Sequence, residues 1–113
     1  MEATLVEIVL PGQIAPGERG RCFEDPLREF MTSSGIGSVG GAGSTLGLDA
    51  GDRQFVQYCS IWIDLFDLSR SLELVREQLR KLGAPDGSYF EYPAAGRLQT
   101  VMVWSEATLP ETI

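Results

Sequence analysis

Between Gly35 and Gly47 the chain reads Gly-Ile-Gly-Ser-Val-Gly-Gly-Ala-Gly-Ser-Thr-Leu-Gly, a run of small residues long enough to cross a whole sheet. Each glycine held in regular structure costs roughly 0.5–1 kcal/mol relative to alanine. Such a run is either a strand whose glycines admit close approach by a neighbour, with Gly37, Gly41 and Gly43 as the close-packing positions, or an irregular loop. The residues leave both readings open.

Gly35-Ile-Gly-Ser-Val-Gly40 also satisfies the spacing G-x-G-x-x-G. A dinucleotide site requires a strand before that spacing and a helix after it, so that the pyrophosphate meets the helix N-terminus. Here a helical pattern precedes and a strand-like segment or loop follows. The stretch has no lysine for a phosphate loop, so no cofactor is expected and packing is the role assigned to the glycines.

The remaining segments can be read around this run. Leu5-Val6-Glu7-Ile8-Val9-Leu10, bounded by Pro11-Gly12, is a first strand. Two Pro-Gly pairs between Pro11 and Cys22 predict a long exposed loop. Asp25 is placed to cap a helix that starts at Pro26 and buries Leu27, Phe30 and Met31. Phe55 to Phe66 is the strongest strand, with Phe55, Gln57, Cys59, Ile61, Ile63 and Leu65 on a core face and Val56, Tyr58, Ser60, Trp62, Asp64 and Phe66 on an aromatic-lined surface. Leu68, Leu72, Val75, Leu79 and Leu82 then repeat at helical spacing behind Asp67 or Ser69, and Gly83 with Pro85 stops that helix. Ser88 to Tyr92 and Gln99 to Trp104 are further strands, and the end of the chain, 106–113, is expected to fray.

With the glycine-rich run counted as a strand, the order is β-α-β-β-α-β plus a C-terminal strand. This is the α+β, ferredoxin-like two-layer sandwich, an antiparallel sheet with both helices on one face. At 113 residues the chain is expected to form one domain spanning 1–113. The fold hosts many unrelated functions and assigns none by itself.

Chemistry is bounded by what is missing. The chain has no histidine, which removes Ser-His-Asp and Cys-His catalytic sets and imidazole-held metals, so no catalytic residue and no metal site are assigned. Asp64 and Glu91 lie on predicted strands where they could meet across the sheet. Cys22 and Cys59 are expected to be free thiols, Cys59 as a small core residue. Phe55-Val-Gln-Tyr58 matches the last half of the RNA-recognition signature, but Gly51-Asp-Arg-Gln54 stands where its basic, glycine-rich half belongs. A formal charge of −7 opposes phosphate backbones and anionic lipid, so neither nucleic acid nor membrane is expected as a partner. The acidic opening residues do not form a secretion signal and no segment is long and apolar enough to span a bilayer, so a cytoplasmic location is expected.

The leading functional expectation is a small soluble, non-enzymatic binding or adaptor domain that acts through its open sheet face, of which an acidic inhibitor or immunity-type protein is one form. Tyr58, Trp62, Asp64, Phe66, Glu91 and Trp104 are its expected interaction surface, covered by a second copy in a homodimer or by a neutral or basic protein. The alternative is a small dimeric enzyme resembling an α/β barrel, using carboxylate or tyrosine acid-base chemistry on an apolar substrate. A deep closed pocket containing Asp64 or Glu91 would separate that alternative from a binding face.

Overall fold

The computed structural model describes residues 2–104, so the expected fraying at 106–113 lies outside the described residues. Five strands form one antiparallel sheet: β1 (Thr4–Pro11), β2 (Gly37–Leu48), β3 (Gln54–Leu65), β4 (Tyr89–Ala94) and β5 (Arg97–Met102), in the spatial order β2-β3-β1-β4-β5. Helices α1 (Pro16–Arg19), α2 (Asp25–Ser34) and α3 (Leu68–Lys81) complete the two-layer, ferredoxin-like α+β sandwich with its added C-terminal strand.

The main departure from the sequence reading is before α2. The predicted loop to Cys22 is helical from Pro16 onward, because the second Pro-Gly pair opens a helix: Pro16 occupies its first turn after an extended Ala15. Only the first pair makes a turn, with Gly12 at φ +104°. Asp25 therefore does not cap a helix but lies inside a helical path, which reaches α2 through a π turn at Gly20–Glu24. Pro26 has no N–H to give to the carbonyl of Cys22, and the ladder widens immediately before it, with the Asp25 N–H bonded to Gly20 O.

The glycine-rich run is a strand. β2 pairs along its length with β3, and its register shifts twice, between Val39 and Gly41 and between Thr45 and Leu46. The first shift leaves Gly40 as an extra residue, so that Val39 and Ala42 both lie opposite isoleucines of the core face, Ile63 and Ile61. At the second, Leu46 pairs with Val56, and strict alternation along β3 fails there: Val56 packs against the core while Phe55 lies over Gly47 on the other side. Gly37 is where a close approach requires glycine, since a Cβ there would stand 1.9 Å from the backbone oxygen of Asp64. At Gly43 a Cβ would meet Trp62 at an ordinary 3.6 Å, and at Gly41 it would meet nothing within 4 Å among the described residues, so no close approach there requires those two glycines.

The core lies between the helices and one face of the sheet. Val6, Ile8, Leu10, Ile61, Ile63 and Leu65 meet Leu27 and Met31 of α2 and Leu72, Val75 and Leu79 of α3, all fully buried. Among the described residues no side chain caps α3 at its start, where Asp67 takes φ +46° instead of an extended cap conformation. Its end is a paired-carbonyl motif: the N–H groups of Gly83 and Ala84 bond to the oxygens of Arg80 and Leu79, with Gly83 at φ +79°. Ala95 and Gly96, both with positive φ, form the tight turn that joins β4 to β5.

Candidate functional site

The side of the sheet away from the helices has no second layer among the described residues. The strand registers place Leu5, Glu7 and Val9 of β1 on it beside Tyr58, Ser60, Trp62 and Asp64 of β3, with Tyr89 and Glu91 of β4 and Leu98 and Met102 of β5 further along. Leu5, Trp62, Leu98 and Met102 are exposed, whereas Val9 and Ser60 are only 6% and 4% exposed, so their longer neighbours cover them.

At the centre of this face Glu7 stands directly opposite Glu91 on β4 and opposite Trp62 on β3. The Ser60 hydroxyl donates to Glu7 Oε2 at 2.6 Å. Tyr89 pairs with Val9 one position beyond this carboxylate pair on the same face. Burial, followed by the nearby charges of Glu91, Glu7 and Tyr58, raises the Tyr89 phenol above its ordinary value of 10.0. The centre of the face is thus a half-buried, anionic and aromatic patch.

The residues expected to form the interaction surface are distributed unequally. Tyr58, Trp62, Asp64 and Glu91 are on the open face. Asp64 pairs with Leu5 and Ser38, so β1 separates it from Glu91, and Glu7 occupies the position beside Glu91. Phe66 sits past the end of β3 and lines a cleft of about 230 Å³ with Ser34, Ile36, Asp67 and Arg70. Trp104 belongs to the helix side: its indole N–H donates to Ala84 O at 2.7 Å, and the Arg80 guanidinium lies over its ring at 5.9 Å. Glu7, Ser60 and Tyr89 complete the patch. Glu7 was legible as the one polar residue in an aliphatic strand, but its partners depend on register.

Other chemistry lies elsewhere. A cleft of about 340 Å³ runs along α2, lined by Asp25, Arg28, Glu29, Thr32 and Ser33, and neither this cleft nor the one at Phe66 contains Asp64 or Glu91. Both cysteines are free, and the fully buried Cys59 thiol donates to Ile14 O at 3.4 Å, beside a Ser44 hydroxyl held by Arg19 at 2.8 Å. Among the described residues no group of three or more histidine, cysteine, aspartate or glutamate residues is arranged to hold a metal, and no helix is long and apolar enough to cross a membrane. Compared with models of known families, with curated proteins and with solved structures, the chain matches none.

Proposed function

We propose that this is a non-enzymatic binding module whose open sheet face takes up the surface of another protein. The observation that carries the reading is the contrast between the two faces of one sheet. Apart from Leu46 and Leu48 at the far end of β2, the large apolar side chains that β1–β3 turn to the helix side are buried under α2 and α3, whereas the other side presents Leu5, Trp62, Leu98 and Met102 to solvent around half-buried tyrosines and carboxylates. Exposed aromatic and methionine side chains are enriched at recognition surfaces, and an antiparallel sheet packed on one face only leaves the other free to present them to a partner. The enzyme reading has less support, because its two carboxylates are separated by a strand and lie outside both clefts described above.

Site-specific photo-cross-linking tests this proposal. A benzophenone side chain at Thr45 or Thr100 on the open face should cross-link a partner in extracts of the native cell, and the Trp62→Glu variant should lose that product. The same probe at Glu29 or Glu77 on the helices should give none. Products from the helix positions alone would refute the proposal.

A further inference from the structure

We propose that the surface received by the open face is cationic, and that an arginine or lysine side chain of a different protein seats at Glu7 and Glu91. This inference rests on the open-face reading and specifies its occupant. Glu7, Asp64 and Glu91 all project from strand positions on this face, and none of its strand positions carries lysine or arginine. Two carboxylates directly opposite on adjacent strands repel, and partial burial sharpens that repulsion. Within the described residues Glu7 receives only the Ser60 hydroxyl. The ion pairs of Arg19 and Arg28 with Glu24, of Arg53 with Asp49 and of Arg76 with Glu73 lie on the helices and the β2–β3 connection.

A cation arriving here would neutralise both carboxylates at once, and the rings of Tyr58, Trp62 and Tyr89 border the same patch to supply cation–π contact. A second copy of this chain supplies the wrong charge. Placed face to face, two copies would bring six carboxylates together with no strand-borne cation to offset them. Charge complementarity therefore selects a basic partner over a homodimer through this face.

Binding of a serine- and glycine-spaced tetra-arginine peptide, compared with the same peptide carrying citrulline in place of arginine, tests the inference in the full chain. The expected result is saturable binding of the arginine peptide only, weakened about tenfold or more in Glu7→Gln/Glu91→Gln. It should be unchanged in the folded control Glu29→Gln/Glu77→Gln, whose exposed carboxylates sit on the helices. Light scattering should report a monomer. Equal binding of the citrulline peptide, equal weakening by the helix control, or a wild-type dimer abolished by Trp62→Glu would each overturn the cationic occupant. If Trp62→Glu weakens binding and Glu7→Gln/Glu91→Gln does not, the open-face reading stands and the cationic inference falls. If neither variant matters and the helix control does, both fall.

Discussion

Glu7 on β1 and Glu91 on β4 face each other directly across an antiparallel pair, two like charges where a sheet ordinarily places opposite or neutral partners. Such a pairing costs roughly 0.2–1 kcal/mol. Glu91→Gln should therefore raise the melting temperature by about 1–5 °C at low ionic strength. The gain should shrink in part in 1 M salt, where the Debye length falls to about 3 Å, since half-buried charges are screened less than exposed ones. Differential scanning calorimetry at the two salt concentrations checks this, and a lower melting temperature for the glutamine variant would show that Glu91 is paired.

Tyr89 reports the same field. Its phenol is held above 10.0 by burial first, then by Glu91 and Glu7, so the folded state favours the protonated form. The corresponding stability is fully present below about pH 10 and is lost as pH rises through the raised value of Tyr89. Removing the Glu91 charge should lower the Tyr89 midpoint and lessen that alkaline loss. Tyrosinate absorbance titrations of Glu91→Gln and wild type, with Tyr89→Phe to assign the transition, measure the shift.

Gly37 and Gly41 occupy the same strand with opposite demands. Gly37→Ala sets a methyl group against the fixed backbone oxygen of Asp64 and should cost about 3 kcal/mol, or more than 10 °C in melting temperature. Gly41→Ala meets nothing within 4 Å and should stay within about 0.5 kcal/mol of wild type. Similar melting temperatures for the two variants would contradict the β2–β3 register.

The two-layer fold was legible because hydrophobic period and turn chemistry agree over most of the chain. Leu72, Val75 and Leu79 recur at helical spacing ahead of Gly83, and Ile61, Ile63 and Leu65 alternate along β3. The helix at Pro16 was hidden because a Pro-Gly pair fits a turn and a first helical turn alike. The anionic centre of the open face was hidden for another reason. Which side Phe55 and Val56 occupy depends on a register shift, and the meeting of Glu7 with Glu91 depends on which strands are neighbours. Neither is encoded in local spacing.

Tyr92 is fully buried on β4, and its hydroxyl has no hydrogen-bond partner among the described residues. Burial also raises its phenol above the ordinary value. A buried donor without a partner costs about 1–3 kcal/mol, so Tyr92→Phe should leave the melting temperature unchanged or raise it by as much as about 5 °C. A clear fall on thermal denaturation would mean that the hydroxyl is satisfied.

The most direct test of the binding face is residue-resolved NMR of the isotopically labelled full chain during titration with the tetra-arginine peptide. Saturable amide shifts should cluster at Glu7, Ser60, Trp62, Tyr89 and Glu91, with Leu27, Glu29, Leu72 and Glu77 on the helices unmoved. Shifts concentrated on α2 and α3 would contradict the assignment of function to the open face, and no saturable shifts on the sheet would contradict its cationic occupant.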